Sequence, residues 1–536
     1  MSAVVARDVA AVVDRRHVLK LALATASTLW LPQSARSQTR SASFSSDPFA
    51  LGVASGSPTH NSVVLWTRLR PTGVFGAVDL GPVSLTVQWE VAHDAQFTRI
   101  ARSGQAQAVA GLAHSVHVEV QGLEPDRWYF YRFMLGDAVS PVGRTRTFAA
   151  EGARVKQFRL AYASCQHWEH GYFSAYRHML AEDLDAVLFL GDYIYEYGGS
   201  SRGARRAPGA NAVTLDDYRA RYALYKGDMD LQRMHAACPW LMTWDDHEVQ
   251  NDYAGIVEGR PGSSGNFLAR RAAAYQAYYE HMPLRANVLT QALLGLEHGA
   301  EMRIYGKVPI GNLATLHLLD DRQYRDAQAC TKGGDFGAST VNPVTCASWS
   351  DPKRTLLGAA QEQWLDQAFA RSSAQWNVLG QQTTFGQRDF KSGPGLALSN
   401  DGWDGYTAAR TRLTDSVQRH QLANPVILGG DVHSNWVGHV KADYARPDSA
   451  TVGVEFCGTS ITSHGGSNER LADVLAENPH FVLADRERRG YGVAEFTPKQ
   501  LTTTLRVVDD VTQDDTGIST LASFVVEAGR SRIQTI

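Results

Sequence analysis

Short runs of alternating apolar and polar residues fill the first part of the chain. A period of two places the apolar side chains on one face of a strand, and turn residues between such runs indicate antiparallel neighbours. Glycine, proline, asparagine and aspartate separate the runs, which lie at 62–69, 83–92, 115–120 and 128–135. We therefore predict a small all-β sandwich domain over residues 45–150.

The hydrophobic pattern changes after residue 157. Continuous apolar runs now end in polar residues, at 158–165, 185–192, 240–247 and 425–433. Helical patterns at 171–184 and 267–281 lie between them, and three strand-like runs follow after residue 450. This order is typical of α/β proteins, which bind ligands at the carboxyl ends of their strands. We predict two packed sheets flanked by helices, an αββα domain over 157–510, followed by a C-terminal extension over 511–536.

Residues 1–37 have the pattern of a twin-arginine-type signal peptide. Arg15 and Arg16 precede an apolar run over 18–31, which is shorter than the ~20 apolar residues of a membrane-spanning helix. Asp14 and Val18 depart from the usual signal residues, and a disordered basic tail is the alternative interpretation. A signal of this type predicts a periplasmic or secreted protein without a transmembrane segment.

Composition narrows the classes of function. The 536 residues are 44% hydrophobic and 20% charged, which excludes a disordered chain. The net charge of −3 gives no support for a stable nucleic-acid partner bound through bulk electrostatics. Cys330 and Cys346 flank a loop and could form a disulfide in an oxidising compartment, although the sequence leaves this pairing open. We expect a monomer.

The four apolar runs after residue 157 end in residues that can bind metal ions. They supply Cys165, Asp192 with Tyr195, Asp246 with His247, and Asp431 with His433. Each residue alone is explained by a helix cap, an ion pair or simple burial. Carboxylates gathered at one rim of a sheet repel one another, however, and need a compensating cation. A tyrosinate and a cysteinate would suit a strongly Lewis-acidic ion such as ferric iron.

Several longer stretches carry a specific resemblance. They are 52–58, 64–68, 214–222, 270–275, 319–325, 361–365 and 403–406, in addition to the four strand ends. With them the chain resembles the alkaline phosphatase D family (PhoD-like), a branch of the calcineurin-like metallophosphoesterases related to purple acid phosphatases. The resemblance covers about residues 45–510.

The resemblance implies a mononuclear ferric (Fe(3+)) site coupled to calcium (Ca(2+)). The implied iron ligands are Cys165, Asp192, Tyr195 and His433. The implied calcium ligands are Asp192, as the bridge, with Asp246 and Asp431, and Asn251 and Asp252 are candidates for additional ones. His247 would lie beside the phosphoryl group as an acid or hydrogen-bond donor. The implied function is a secreted alkaline phosphatase and phosphodiesterase that uses a metal-activated hydroxide.

Two other functions stay open at this stage. One is a phospholipase D that acts on phospholipid head groups, and the other is a non-catalytic protein that binds envelope polymers around a structural metal site. Within the phosphatase interpretation the substrate is also open, and envelope teichoic acid, phospholipid head groups, nucleotides and extracellular nucleic acid all qualify. Family-like motifs also hold five arginines that could bind phosphate or form structural salt bridges, Arg219, Arg221, Arg322, Arg325 and Arg410. Two aromatic residues of these motifs, Trp403 and Tyr406, could line the mouth of the site or serve packing.

Overall fold

The computed structural model describes residues 46–70, 83–200, 203–260, 262–292, 300–331, 337–446 and 448–536. The predicted signal peptide over 1–37 lies outside the described residues. In the described part of the chain, no helix has the length and apolarity to cross a bilayer.

Twenty-four strands lie within the described ranges. They are β1 (Val53–Gly56), β2 (Ser62–Arg68), β3 (Leu85–Ala92), β4 (Ile100–Ala108), β5 (Ser115–Gln121), β6 (Trp128–Leu135), β7 (Ala138–Val139), β8 (Gly143–Arg146), β9 (Phe158–Ala163), β10 (Ala186–Leu190), β11 (Trp240–Thr243), β12 (Gly306–Ile310), β13 (Ala314–Leu318), β14 (Thr340–Val341), β15 (Trp376–Gly380), β16 (Leu398–Ser399), β17 (Pro425–Gly429), β18 (Asn435–Lys441), β19 (Thr451–Cys457), β20 (Phe481–Asp485), β21 (Gly490–Phe496), β22 (Gln500–Val508), β23 (Ile518–Glu527) and β24 (Ile533–Thr535).

The α-helices of the same ranges are fewer and mostly short. They are α1 (Ser174–Met179), α2 (Leu215–Lys226), α3 (Met229–Ala237), α4 (Phe267–His281), α5 (Asn287–Ala292), α6 (Gly358–Ala370), α7 (Thr407–Arg419) and α8 (Leu471–Glu477). The helix predicted over 267–281 has these bounds, and Asn266 caps it by accepting the Ala269 N–H at 3.1 Å.

Two mixed sheets form the centre of the molecule. The larger has the order β24-β23-β22-β21-β9-β10-β11-β1-β2-β5, and the smaller has the order β12-β13-β15-β17-β19-β18-β20. One apolar cluster contains residues of both sheets, including Leu160 and Leu188 of the larger and Leu316, Val378 and Leu428 of the smaller. The two sheets therefore pack against each other, and continuous apolar runs such as β10 are buried along their whole length.

Helices cover the outer faces of these sheets. Residues of α1 to α4 share an apolar cluster with β9, β10 and β11, and residues of α6 and α7 share another with β15 and β17. Mixed sheets with few helices fit the predicted α/β class in outline. The finer αββα description stays a prediction, because the larger sheet also contains strands from both ends of the described chain.

Within the described residues, the strands of the N-terminal region divide between the large sheet and a smaller sheet of their own. Its strands β1, β2 and β5 belong to the ten-stranded sheet, while β4-β3-β6-β7, with β8 beside β6, form a separate five-stranded sheet. The two parts enclose an apolar core that joins Val63 and Val118 to Val87 and Tyr131. At the other end, β23 and β24 of the predicted C-terminal extension continue the same large sheet. The domain boundaries themselves stay predictions.

The possible cysteine pair does form a disulfide. Cys330 and Cys346 are bonded, whereas Cys165, Cys238 and Cys457 are free and buried. The bonded loop lies between β13 and α6 and carries β14, which pairs with β16.

Candidate metal centre

The residues predicted from the strand ends converge at one edge of the two sheets. Strands β9, β10 and β11 are parallel neighbours, so the segments that follow them begin side by side. Their candidate ligands meet those that follow β17 of the smaller sheet. Three groups each have one ligand atom per residue within 4.8 Å of the others: Cys165, Asp192 and His433; Asp192, Asp246 and His247; and Asp245, Asp246 and Asp431.

Four of these residues adopt an unusual backbone conformation. The φ angles of Cys165, Asp192, Asp431 and His433 are 58°, 56°, 66° and 50°. The left-handed region is unfavourable for residues other than glycine, and such residues occur frequently at functional sites. Here each residue follows the end of a strand, where the left-handed turn leads the chain out of the sheet at the edge that holds the ligands.

Tyr195 turns back toward the first of the three groups. Its hydroxyl donates to Asp192 Oδ2 at 2.8 Å and lies 3.1 Å from His433 Nε2. Ser463 Oγ approaches the same hydroxyl at 2.6 Å. Burial and the charge of Asp192 raise the pKa of Tyr195 well above its usual range, so the phenol keeps its proton unless a cation replaces it.

Two carboxylate oxygens at the heart of the site have no hydrogen-bond partner. They are Asp192 Oδ1 and Asp246 Oδ1, on side chains whose residues are only 1% and 3% exposed. Burial raises the pKa of Asp192 well above its usual range. Buried acceptors are normally paired, and an orphaned pair in adjoining groups is the arrangement that a bound cation would complete. The donor set of carboxylates, imidazole, phenol and thiol therefore fits a metal site.

A protein cation already lies at the third group. Arg322 is 1% exposed, and its Nε donates to Asp245 Oδ1. Its Nη2 lies 3.6 Å from Asp246 Oδ2 and 3.8 Å from Asp431 Oδ1. Burial lowers the pKa of Arg322, but Asp245 and the other carboxylates outweigh this effect and raise it well above its usual range. Arg322 thus neutralises part of the acidic cluster.

His247 is held by a second carboxylate. Its Nδ1 lies 2.7 Å from Glu196 Oε2, and Glu196 Oε1 accepts the Asn251 N–H at 2.9 Å. Burial lowers the pKa of His247, but the charges of Asp192, Glu196 and Asp246 outweigh burial and raise it well above its usual value. These charges favour the imidazolium form, and Glu196 fixes the ring through Nδ1.

The two extra calcium ligands suggested by the sequence are engaged differently. The Asp252 N–H donates to Asp246 Oδ2 at 2.7 Å, and Asp252 Oδ2 accepts the Ala338 N–H at 3.0 Å. Asp252 belongs to none of the three ligand groups found among the described residues. The backbone of Asn251 serves Glu196, as described above.

The other arginines and aromatic residues of the family-like motifs have structural partners. Arg219 pairs with Glu280, Arg325 with Asp401 and Arg410 with Asp404, while Arg221 donates to the Ala210 carbonyl. Trp403 donates to Gln381 Oε1 at 3.0 Å and Tyr406 to the Asp326 carbonyl at 2.6 Å, and both rings are buried. These contacts favour the salt-bridge and packing alternatives over contact with a substrate.

Four supporting residues were not singled out from the sequence. Glu248 Oε2 accepts the N–H groups of Asp192 and Asp245 at 3.1 and 2.8 Å, which ties two strand ends together, and burial raises its pKa to about 8. Arg489 Nη1 donates to the His433 carbonyl at 2.6 Å. Glu196 and Glu248 stand inside the conspicuous motifs, so their position was a usable signal, whereas Ser463 and Arg489 gave none.

Comparisons with known proteins identify one family of phosphatases. A model of the PhoD-like phosphatases matches residues 160–505, and one of the PhoD-like phosphatase N-terminal domain matches residues 33–149. Alkaline phosphatase D of Bacillus subtilis (strain 168) is 45% identical over 501 residues, covering 92% of this chain and 83% of that protein. A solved structure described as "Structure of PhoD" matches with a TM-score of 0.86 at 45% identity, covering 92% of this chain and 93% of that one.

Proposed function

This chain belongs to the PhoD-like phosphatase family and is a phosphatase, and from that premise we propose an exported enzyme that hydrolyses phosphate monoesters and diesters at an iron–calcium centre. The observation that carries the metal proposal is the pair of buried, unpartnered oxygens on Asp192 and Asp246. They lie in adjoining groups that share Asp192, which suits two cations side by side.

The ligand types divide the centre in two. The iron would be held by Cys165, Asp192, Tyr195 and His433, because thiolate, phenolate and imidazole suit a transition-metal ion. The calcium position takes the oxygens of Asp192, Asp246 and Asp431, because calcium prefers carboxylate oxygens. When bound, these cations would supply the positive charge that polarises the phosphoryl group and stabilises the charge that develops during displacement.

The protein also supplies the proton that the leaving oxygen needs. As a water oxygen bonds to phosphorus and the bond to the leaving oxygen breaks, His247, oriented through Nδ1 by Glu196, donates its Nε2 proton to the leaving oxygen. The attacking water loses its own proton to solvent, so the alcohol leaves neutral and the phosphate product keeps the new oxygen. Arg322 keeps the carboxylates of Asp245, Asp246 and Asp431 in place and limits their mutual repulsion. Glu248 fixes the turn after β10 that carries Asp192.

Export is supported by the cysteine chemistry. The disulfide between Cys330 and Cys346 is of a kind that persists in oxidising compartments and is rare in reducing ones. We propose that the twin-arginine-type segment over 1–37 delivers the protein to the periplasm or the exterior.

The test combines elemental analysis with activity assays on three substrates, namely a simple monoester, a simple diester and phosphatidylcholine. We expect the purified protein to contain iron and calcium, and to hydrolyse a simple monoester and a simple diester. Chelation should abolish both activities, and readdition of the metals should restore them. Asp192→Asn should lose metal and activity together, while Asp473→Asn, an exposed carboxylate on α8, is the matched control.

Two results would contradict the proposal. A metal-loaded protein that is inert toward every phosphoester would favour the envelope-polymer binding role. Choline release from phosphatidylcholine that dominates the other two reactions would favour a phospholipase D.

A further inference from the structure

A row of stacked rings lies beside the candidate centre. The rings of His167 and His170 are stacked with centroids 3.7 Å apart, and His464 stacks on His170 at 3.9 Å. Tyr197 packs against His167 at 5.3 Å. We call these four residues the aromatic wall.

The aromatic wall begins at the centre and ends at the surface. At its inner end, the ring of His167 lies 4.3 Å from that of Tyr195, and His167 is only 1% exposed. Tyr197, which packs on His167, is 37% exposed and lies 5.5 Å from His247, the proposed proton donor. The exposed His464 accepts, through its carbonyl, the hydrogen bond of His433 Nδ1 at 2.9 Å. The wall thus adjoins both the proposed proton donor His247 and the proposed iron ligand His433.

The wall presents flat ring faces at the surface. His170 is stacked between His167 and His464, so the rings that reach the surface are those of Tyr197 and His464. Imidazole and phenol rings attract other flat rings by stacking.

We propose that the aromatic wall binds the alcohol portion of the substrate and selects phosphoesters whose alcohol carries a flat aromatic or heteroaromatic ring, nucleosides included. A phosphoryl group at the centre must direct its alcohol toward His247 and the exposed rim, where Tyr197 and His464 present their rings. This inference rests on the proposed phosphoesterase function, since that function places the phosphoryl group.

The test compares two substrates with similar leaving groups. Benzyl phosphate and cyclohexylmethyl phosphate, with their methyl diesters, both release primary alcohols, but only the first carries a flat ring. We expect the kcat/KM ratio of benzyl to cyclohexylmethyl substrate to exceed one. In His464→Ala and Tyr197→Ala this ratio should fall about threefold to tenfold, the size of one aromatic contact. His464→Phe should keep the ratio because it keeps a stacking ring. The kcat/KM of a 5′-nucleoside monophosphate should change in these variants in the same direction as that of the benzyl ester.

The possible outcomes distinguish a failure of this inference from a failure of the proposed phosphoesterase function. An exposed histidine in the turn between β1 and β2 provides the control, His60→Ala, whose ratio should equal that of the unaltered protein. A ratio near one, or one that His464→Ala and Tyr197→Ala leave unchanged, would overturn the role of the wall while leaving the phosphoesterase intact. Failure of the metal-loaded protein to hydrolyse either ester would overturn the proposed function and the inference with it.

Discussion

At the scale of single residues, Asp192 connects the parts of the centre. Its carboxylate lies in two of the three ligand groups. One of its oxygens accepts a hydrogen bond from the Tyr195 hydroxyl, and the other has no hydrogen-bond partner. Its backbone is left-handed and is fixed by Glu248 through the Asp192 N–H. A side chain held by these contacts is preorganised, which lowers the free-energy cost of assembling a metal site.

The role of Tyr195 can be tested by spectroscopy. If Tyr195 is an iron ligand, the iron-loaded protein should show a visible phenolate-to-ferric absorption band, which Tyr195→Phe should abolish. Tyr197→Phe removes a neighbouring phenol that, within the described residues, forms no hydrogen bond with Asp192 or His433, and it should keep the band. A band that persists in Tyr195→Phe would refute this ligand.

The pair formed by Glu196 and His247 makes a second prediction. Glu196→Gln keeps a hydrogen-bonding group but removes the charge that favours the imidazolium, so kcat should fall by roughly tenfold to a hundredfold. The loss should be larger for alkyl esters, whose leaving oxygen needs a proton, than for 4-nitrophenyl esters, whose leaving oxygen does not. Glu469→Gln, on an exposed loop, serves as the control. An equal loss on both ester types would mean that Glu196 does not act through proton donation.

Single residues also show how much of the candidate site could be predicted from the sequence. Cys165, Asp192, Asp246, Asp431 and His433 could be proposed because each directly follows an apolar run, and the structure brings them together. Glu196 and His247, in contrast, are 51 positions apart, and no local pattern indicates that they touch. Arg489 is further removed, because its contact with the His433 carbonyl depends on the packing of a distant segment.

At the scale of elements, parallel strands explain why the ligands meet. Leu188 of β10 pairs with both Tyr162 of β9 and Leu241 of β11, so the three strands are in register and end together. The chain that follows each strand therefore delivers its polar residue to the same edge. The sequence predicted these strands because their apolar runs are long and uninterrupted, whereas the short β14 and β16 have no such signal.

The disulfide-bonded loop supports a prediction about stability. The bond between Cys330 and Cys346 closes a loop with a sequence separation of 16, so replacing both with serine should lower the free energy of unfolding by about 3 kcal/mol. Thermal unfolding should show a lower Tm for the double variant. A reductant should bring the unaltered protein to the same Tm and leave the variant unchanged. Equal Tm values with and without reductant in the unaltered protein would contradict this contribution.

At the scale of the whole molecule, one sheet joins regions that are far apart in the sequence. Gly56 of β1 pairs with Trp240 of β11, and Val493 of β21 pairs with Ala161 of β9. Strands from the N-terminal region, the centre and the C-terminal end thus share one hydrogen-bonded layer. Removal of either end would expose a strand edge and an apolar face.

This continuity predicts that the chain cannot be divided near residue 150. A fragment of residues 151–536 would lose β1, β2 and β5 and expose the edge of β11, so we expect it to aggregate or to unfold without cooperativity. The chain of residues 46–536 is the control and should unfold cooperatively. A monomeric 151–536 fragment with a sharp thermal transition would contradict the prediction and favour two independent domains.

The sequence by itself determined the local features, namely buried strands, the polar residues that end them and the motifs of the family. It could do so because hydrophobic periodicity and short motifs depend on neighbours along the chain. Only the tertiary structure decided that Arg322 lies among carboxylates, that Glu196 holds His247, that the N-terminal strands complete the large sheet and that the aromatic wall flanks the centre. These relations join residues tens to hundreds of positions apart, and packing alone brings such residues into contact.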